Sequence, residues 1–398
     1  MFRTLDDLEP GQRVLVRLDL NSPVEGEEVQ DNRRFSRHAG TVSELLADDH
    51  AVAILAHQGR PGRDTFVPLE QHAAILSEHV GHDVGYVPDT HGDEAIEAIR
   101  ALEGGEALLL ENVRMVEDEL RDLSPEEHAE SDLVTDLAPE FDAYVNDAYS
   151  AAHRGHASLV GFPRVLPAYA GRVMEAEYEA NTAIRTREFD GHVAMVLGGT
   201  KADDLIDVME RAERVDTFLL GGIVGELFLR ASGAHVGYDV EGSDLFDEQW
   251  AESEGTIRDL LARYGDRIVL PVDLAYEDEE GGRSEVFVAD AEKSSQYLDV
   301  GRETVSEYAE VIAGSDAAFV KGALGVFEDE RFSDGTVGVL ESIAGTECFS
   351  VVGGGDTSRA IGMYGLNEEE FSHVSIAGGA YARALTGEPL VAIEALER

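Results

Sequence analysis

Short apolar runs recur along this chain and alternate with longer stretches whose apolar residues have helical spacing. In the first half the apolar runs predict strands at residues 14–18, 51–56, 107–110 and 143–145. In the second half they predict strands at 193–197, 217–220, 268–270, 317–320, 349–352 and 373–376. Residues 34–47 and 69–80 have the pattern of amphipathic helices. Continuous apolar strands that alternate with helices indicate an α/β fold with parallel sheets covered on both faces.

A stretch rich in Glu, Ala and Arg at residues 173–187 separates the two halves and contains no Gly or Pro. It predicts a stiff helix between two domains, at residues 1–172 and 173–388. A chain of 398 residues is long enough for two such cores. We therefore expect two Rossmann-like domains with parallel sheets, a cleft between them, and a hinge at the connecting helix.

Acidic residues dominate the charge of the chain, with 81 Asp and Glu against 31 Lys and Arg and a formal net charge of -50. This balance disfavours nucleic acid and anionic membrane surfaces as partners. Lysine occurs only at Lys201, Lys293 and Lys321, so nearly all of the basic residues are arginine. An acidic, lysine-poor composition resembles that of proteins from salt-accumulating halophiles. An acidic interaction surface is the alternative, but the charge is spread along the whole chain.

The cellular location is predicted from what the sequence lacks. It contains no apolar stretch of about 18 residues and no apolar core near its N-terminus, which argues against a membrane span and a signal peptide. Cys348 is the single cysteine and cannot form an internal disulfide. We expect a protein of a reducing cytoplasm.

The residues that follow the strands differ between the two halves. In the first half they are polar or cationic, and they include Asp19, Asn21, His57, Arg60 and Arg114. In the second half they form glycine-rich loops, which include Gly221, Gly222, Gly353, Gly354 and Gly355. Ligands of open α/β sheets bind beyond the carboxyl ends of the strands. The chain therefore predicts two anion sites of different chemistry.

The glycine-rich loops of the second half favour phosphate binding, because glycine lets the backbone approach a phosphate and a following helix offers its N–H groups. Asp356 would lie beside such phosphates, where a carboxylate can hold Mg²⁺. Alternatively, Asp356 and Thr357 only cap a helix. Lys201 and Lys321 each follow an apolar strand, and their retention in a lysine-poor chain suggests that a point charge is needed there.

Arginines of the first half lie at strand ends or helix starts, namely Arg34, Arg60, Arg114 and Arg154. Guanidinium groups bind phosphate and carboxylate oxygens in pairs, so this group suits a small substrate that carries both anions. Simple ion pairing with the many carboxylates is the alternative for any one of them.

Eight motifs, in order, resemble those of the phosphoglycerate kinase family. They are VLVRLDLNSP at 14–23, HQGRP at 57–61, LENVR at 110–114, VNDAYSAAHRGHAS at 145–158, GGTK at 198–201, PVD at 271–273, GVFE at 325–328 and GGGDT at 353–357. The resemblance covers some 350 residues. It implies reversible, Mg²⁺-dependent phosphoryl transfer between 1,3-bisphosphoglycerate with ADP and 3-phosphoglycerate with ATP, as in glycolysis, by a monomer whose C-terminal residues 389–398 pack on the first domain.

The resemblance also implies residue roles. It assigns 3-phosphoglycerate to Asp19, Asn21, Arg34, His57, Arg60, Arg114 and Arg154. It assigns nucleotide phosphates and Mg²⁺ to Lys201 and to Gly353, Gly354, Gly355, Asp356 and Thr357, the ribose to Glu328, and the adenine neighbourhood to Gly221 and Gly222. Arg34 and Lys201 are the candidates for contacting the moving phosphoryl group.

Two positions depart from the family pattern. Leu205 stands where the family usually has a second lysine, and Lys321 stands where it usually has Asn. We hypothesise that Lys321 supplies the catalytic charge that is missing at 205. A dehydrogenase is disfavoured because the first strand is not followed by G-x-G-x-x-G. A non-catalytic nucleotide-binding sensor would explain the glycine-rich loops but not the arginines.

Overall fold

The computed structural model describes residues 2–237 and 244–397, with the side chain of Asp244 outside the description. The chain divides into two compact units, Met1–Glu179 with Pro389–Arg398 and Ala180–Glu388. We call them unit 1 and unit 2.

Unit 1 is built on a six-stranded parallel sheet. In chain order the strands of this unit are β1 (Arg13–Arg17), β2 (Val24–Glu25), β3 (Glu28–Val29), β4 (Ala51–Leu55), β5 (Val84–Val87), β6 (Ala107–Leu110), β7 (Ala143–Asn146) and β8 (Ala168–Ala170). The sheet order is β5-β6-β4-β1-β7-β8, and β2 pairs with β3 in a separate hairpin. Because β4 and β7 flank β1 on opposite sides, the strand order reverses at β1, where ligands of such sheets bind.

The helices of unit 1 cover this sheet. They are α1 (Arg33–Ala47), α2 (Glu70–Val80), α3 (Asp93–Ala101), α4 (Pro125–His128), α5 (Asp132–Leu137), α6 (Ala157–Val160) and the first part of α7 (Arg172–Thr186). Helix α1 buries Phe35, Ala39, Val42 and Leu45, which recur at helical spacing on one face. Together with Val14, Val16 and Ile54 of the sheet, they form the core of the unit.

The chain ends on unit 1, where α15 (Val391–Leu396) packs beside α6 and β8. The amide of Ala392 donates a hydrogen bond to the carbonyl of Ala152 at 3.0 Å. Buried Ile393 and Leu396 supply the apolar contact.

Unit 2 contains a second six-stranded parallel sheet, with the order β11-β10-β9-β15-β16-β17. Its strands are β9 (Val193–Leu197), β10 (Thr217–Leu220), β11 (Ile268–Val269), β15 (Ala317–Lys321), β16 (Phe349–Gly353) and β17 (His373–Val374). The order reverses between β9 and β15, so the loops that carry Lys201 and Lys321 meet at this switch point.

A three-stranded antiparallel sheet interrupts the alternation in unit 2. It consists of β12 (Asp273–Glu277), β13 (Arg283–Phe287) and β14 (Tyr297–Val300), in the order β13-β12-β14. The helices of the unit are α8 (Ala202–Arg211), α9 (Gly222–Ala231), α10 (Asp244–Tyr264), α11 (Arg302–Ala313), α12 (Asp334–Ala344), α13 (Gly355–Met363) and α14 (Gly379–Thr386).

All ten predicted strands are present in the two parallel sheets, with ends that differ by no more than two residues. β5, β8, the β2–β3 hairpin and the antiparallel sheet were not predicted. No helix in the described part of the chain is both long and apolar enough to cross a membrane.

Candidate active site

The residue after the end of β1, Leu18, leads into a carboxylate that organises the first candidate site. Asp19 is 2% exposed, and its Oδ2 accepts hydrogen bonds from the guanidinium of Arg34 and the hydroxyl of Ser150. Its Oδ1 accepts the amide of Asn21 at 3.1 Å. Asn32 caps α1 by accepting the amide of Arg34 at 2.9 Å, which places Arg34 in the first helical turn. Asp19 is thus engaged in hydrogen bonds that hold the side chain of Arg34 in position.

His57, directly beyond the end of β4, is held as a neutral donor. Nη2 of buried Arg17 donates a hydrogen bond to Nδ1 of His57 at 3.0 Å. Burial lowers the pKa of His57 well below its usual value, and the charges of neighbouring arginines lower that pKa further. Its proton therefore lies on Nε2, which is 3.8 Å from Oδ1 of Asp19.

Four arginines lie near enough to His57 to lower its pKa, and a fifth, Arg60, lies near Arg114 and Arg154; we call these five with His57 the arginine cluster. Burial lowers the pKa of Arg114 to about 10, and the charges of Arg154, Arg17 and Arg60 act in the same direction. Burial also lowers the pKa of Arg34 to about 10. These guanidinium groups remain charged at neutral pH, and mutual repulsion makes a multiply charged anion a favourable occupant. The members of the cluster are Arg17, Arg34, His57, Arg60, Arg114 and Arg154.

The backbone of this site is fixed by buried amide side chains. Oδ1 of Asn21 accepts the amide of Gly59 at 2.8 Å. Gln58 is fully buried; its Oε1 accepts the amide of Ser22 at 2.8 Å and its Nε2 donates to the carbonyl of Thr65 at 3.0 Å. The loops after β1 and β4 are therefore tied together, which limits movement of His57 and Arg60.

A buried histidine–aspartate pair connects this site with the start of α7. Nδ1 of His38 lies 2.8 Å from Oδ2 of Asp147, and the amide of Asp19 points to Nε2 of His38 at 3.4 Å. Oδ1 of Asp147 accepts the amides of Val173 and Met174 at 2.8 and 3.0 Å, which caps the helix. The loop that carries Asp19 and the helix that leaves unit 1 thus share one hydrogen-bonded network.

The second candidate site is a cavity of about 440 Å³ in unit 2. It lies between the ends of β9 and β15, the start of α9, and the antiparallel sheet; its lining includes Gly199, Thr200, Gly222, Ile223, Glu226, Pro271, Leu274, Tyr297, Asp299, Leu324, Glu328 and Asp356. Gly222 has a φ of 58°, and a Cβ there would lie 2.7 Å from the nitrogen of Gly199. Glycine therefore permits this close approach. Mostly apolar walls with a few polar groups suit a ligand with an aromatic ring.

The two lysines predicted to face phosphate are electrostatically coupled. Lys321 ends β15, with Leu197 and Gly353 as its sheet neighbours. Burial lowers its pKa; the charges of Asp204 and Asp356 oppose that effect, and the charge of Lys201 reinforces it. Lys201 is exposed at the N-cap of α8, whereas Leu205, one turn later, is buried in the core. The structure brings Lys201, Lys321 and Asp356 to one edge of the sheet.

The glycine-rich loop after β16 leads directly into α13. Gly354 is the N-cap with a φ of 107°, and Gly355 and Asp356 are exposed in the first turn. The hydroxyl of Thr357 donates to the carbonyl of Gly353 at 2.8 Å, so it stabilises the turn. The N-cap residue of α13 is a glycine and Asp356 is the acidic residue of the first turn, so the role of Asp356 toward a ligand stays a prediction.

Of two further predicted residues, Glu328 lines the cavity and Gly221 lies behind it, against Leu324 of the cavity wall. Gly221 is buried, and a Cβ there would come within about 2.5 Å of Leu324. Glu328 is exposed at the rim, 3.2 Å from Nη2 of Arg359. Asp299 accepts hydrogen bonds from Arg283 and the amide of Gly335, each at 2.9 Å, and burial raises its pKa to about 7. Asp299 is therefore a buried residue that links Arg283 to the backbone at Gly335 and so stabilises the cavity wall.

The carboxylates near the two lysines determine how a magnesium ion can be held. Within residues 2–237 and 244–397 there is no group of three or more His, Cys, Asp or Glu side chains that could hold a metal by themselves. Mg²⁺ commonly binds through one or two carboxylates together with substrate phosphates. An exposed Asp356 beside two lysines fits that second arrangement.

An arginine cluster at one sheet, and a glycine-lined cavity with two lysines at the neighbouring strand ends of another, are the features of a phosphotransferase of the α/β class. The sequence profile of the family described as Phosphoglycerate kinase matches residues 5–388. The chain belongs to the phosphoglycerate kinase family.

Relatives cover the chain from end to end. It is 68% identical over 398 residues to a phosphoglycerate kinase of Halorubrum lacusprofundi, covering 100% of this chain and 98% of that one. It is 65% identical to that of Haloarcula marismortui, with both chains fully covered. A crystal structure of phosphoglycerate kinase from Pyrococcus horikoshii OT3 superposes with a TM-score of 0.91 at 33% identity, covering 100% and 98% of the two chains.

These findings confirm the predicted family, the two parallel-sheet α/β domains, the kinase activity and the halophilic character. Sequence reasoning missed Arg17, His38 and Glu226. A signal existed for Arg17, since it is a charge inside an otherwise apolar run, and buried arginine in a strand needs partners. Its Nε donates to Ser158 at 2.8 Å, and Glu119 lies 3.9 Å away.

Proposed function

We propose that the enzyme transfers a phosphoryl group between an adenine nucleotide in the cavity of unit 2 and 3-phosphoglycerate at the arginine cluster of unit 1. The observation that carries this proposal is the pairing of two dissimilar anion sites at the carboxyl edges of two sheets. A small substrate with a carboxylate and a phosphate suits several guanidinium forks. A nucleotide suits apolar walls with glycine and lysine at one end.

In this proposal the protein positions charge and needs no general base, because the accepting oxygen is already ionised in either direction. Arg60, Arg114 and Arg154 hold the phosphate of 3-phosphoglycerate, while Nε2–H of His57 and the Asp19–Arg34 pair orient its reacting end. Lys201 and Lys321 face the nucleotide phosphates. Asp356 would hold Mg²⁺, which neutralises phosphate charge when bound there. Glu328 binds the ribose.

The proposal extends to organisation and location. Residues 1–172 with residues 389–398 act as the acid-binding domain, and residues 173–388 include the connector and the nucleotide-binding domain. The enzyme acts as a monomer in a salt-rich cytoplasm, without nucleic acid or membrane partners.

A coupled assay with 3-phosphoglycerate, ATP and Mg²⁺, run at KCl concentrations up to several molar, tests the proposal. We expect turnover that requires all three components and increases with salt. Nucleotide binding without turnover at any salt, with the fold intact by circular dichroism, would instead favour the non-catalytic sensor.

Lys321→Ala is expected to lower kcat by about 10²- to 10³-fold, the usual effect of removing one preorganised charge donor. The physical reason is that buried Leu205 leaves the adjacent edge of the sheet without a second lysine. Steady-state kinetics measure the effect. Lys293→Ala removes the third lysine, an exposed one, and serves as the matched control. Near-native kcat in Lys321→Ala would eliminate the compensation hypothesis.

Domain closure is expected when both substrates are present. The proposed sites belong to different units, so transfer requires the reactants to be brought together and water to be excluded. Small-angle scattering should show a smaller radius of gyration with 3-phosphoglycerate and a non-hydrolysable ATP analogue together than with either alone. An unchanged radius would argue against a hinge at α7.

A further inference from the structure

Glu226 is a carboxyl group in the cavity of unit 2 that the catalytic scheme does not use. It lies on α9, four residues after Gly222, so the two residues share one face of the helix. Both residues line the cavity, as do Ile223 from the turn between them and Leu274 from the antiparallel sheet. Glu226 therefore occupies the apolar part of the cavity, one helical turn from the glycine proposed to lie near the base.

No side chain in the described ranges forms a hydrogen bond or ion pair with Glu226. Tyr297 is close enough for the charge of Glu226 to raise its pKa, a minor contribution beside that of burial. However, its hydroxyl is used by the backbone of Glu292, accepting the amide at 2.8 Å and pointing to the carbonyl at 3.2 Å. An unpartnered carboxyl in an apolar wall is costly unless it is neutral or a ligand completes its hydrogen bonds.

Charged groups on the elements around α9 have other partners or lie elsewhere. Asp299 on β14 is bound to Arg283, and Asp247 on α10 pairs with Arg230 at 3.2 Å. Further charged groups are Asp203, Asp204, Asp207, Glu210 and Arg211 on α8, Arg230 on α9 itself, Glu248, Glu252, Glu254, Arg258, Asp259 and Arg263 on α10, and Glu328 and Asp356 at the cavity edge; none of them forms a hydrogen bond or ion pair with Glu226 in the described part of the chain. Burial is the sole cause that raises the pKa of Glu226, to about 8. Glu226 is half-buried, and the raised pKa favours its carboxylic acid form, which has one donor and one acceptor.

The donor and acceptor of a neutral Glu226 match the hydrogen-bonding edge of adenine but not that of guanine. Adenine presents an N6 amino donor beside the N1 acceptor, so a neutral carboxylic acid can pair with both. Guanine presents N1–H and N2–H₂ donors, which match an ionised carboxylate. We propose that Glu226 is the specificity-determining residue for the nucleobase, selecting adenine in its protonated form and losing that selection when it ionises.

This inference rests on the proposed nucleotide site, and the experiment distinguishes failure of the inference from failure of that site. Dissociation constants of ADP and GDP are measured by calorimetry in multimolar KCl at pH 6.5 and 9.0. The two ligands carry the same diphosphate, so its own titration cancels in their ratio. For the natural chain we expect about tenfold preference for ADP at pH 6.5, the scale of one good bidentate pair. The preference should fall to about one, or reverse, at pH 9.0.

Two variants at position 226 test the proposal directly. Glu226→Gln presents an amide donor and acceptor at every pH, so it should keep the ADP preference and remove its pH dependence. Glu226→Leu should bind both nucleotides with similar affinity. Glu341→Gln neutralises an exposed carboxylate on α12 and should behave as the natural chain.

Two outcomes would contradict the inference, and the binding data distinguish them. Binding of both nucleotides with one ADP-to-GDP ratio in the natural chain at both pH values and in Glu226→Gln would overturn the role of Glu226 while leaving the nucleotide site in place. Absence of binding by either nucleotide, with the fold intact, would overturn the site and this inference together.

Discussion

Arg34→Ala is expected to lower kcat by about 10³-fold, at the lower end of the range for arginines that stabilise a transferring phosphoryl group. Arg34 is anchored from two sides, by Asn32 at the helix start and by Asp19 and Ser150 through its guanidinium. Such anchoring fixes the direction of a charge before substrates arrive, and preorganised charge is the main contribution an enzyme makes to this chemistry. Alanine removes the charge and also leaves Asp19, a buried carboxylate, repelling the incoming anion.

Steady-state kinetics at saturating substrates measure this effect, since a loss confined to kcat identifies an interaction made in the transition state. Arg37→Ala, on the exposed side of the same helix, is the matched control and should retain kcat. Arg34→Lys keeps the charge but not the planar fork, so an intermediate kcat is expected. If Arg34→Ala changed only the KM for 3-phosphoglycerate, Arg34 would be a binding residue and not a catalytic one.

The parallel sheets could be predicted from sequence because their strands are buried on both faces and therefore read as continuous apolar runs. The antiparallel sheet could not, because charged residues interrupt its short strands, as in DLAYE of β12 and YLDV of β14. β13 has the sequence RSEVF with no fully buried residue, and such a pattern resembles a polar loop. β8 contains only Ala168, Tyr169 and Ala170, too short a run to be recognised.

The residues of the candidate site likewise fall into two groups, those that could be predicted from the sequence and those that could not. Residues that follow strands directly were found, because the fold brings the carboxyl ends of parallel strands together. The groups that hold them were not. His38 lies on the buried face of α1, and nothing in the sequence shows that it meets Asp147 from more than a hundred residues away. Glu226 resembles an ordinary helical glutamate until the cavity beside it is seen.

Removing salt is expected to unfold the enzyme and abolish activity below about 0.1 M KCl. Two like charges 10 Å apart repel by about 0.4 kcal/mol in water. The excess of 50 negative charges could form about 25 such pairs, a repulsion on the order of 10 kcal/mol at low salt. That is comparable with the whole free energy of unfolding of a typical protein, about 5–15 kcal/mol. At 1 M salt the Debye length of about 3 Å removes most of it.

Surface ion pairs do not offset this repulsion. Arg100–Glu140 at 2.6 Å and Arg121–Asp118 at 2.9 Å involve exposed arginines, and such pairs contribute about 0–1 kcal/mol each. Thermal unfolding is followed by circular dichroism from 0.05 to 3 M KCl, and activity is measured on the same samples. The melting temperature then reports how far salt offsets the repulsion between the carboxylates. Sucrose stabilises by exclusion and does not screen charge, so it should not replace KCl at low salt. A melting temperature independent of KCl would mean that the carboxylates are spaced so that their repulsion is negligible in the folded state.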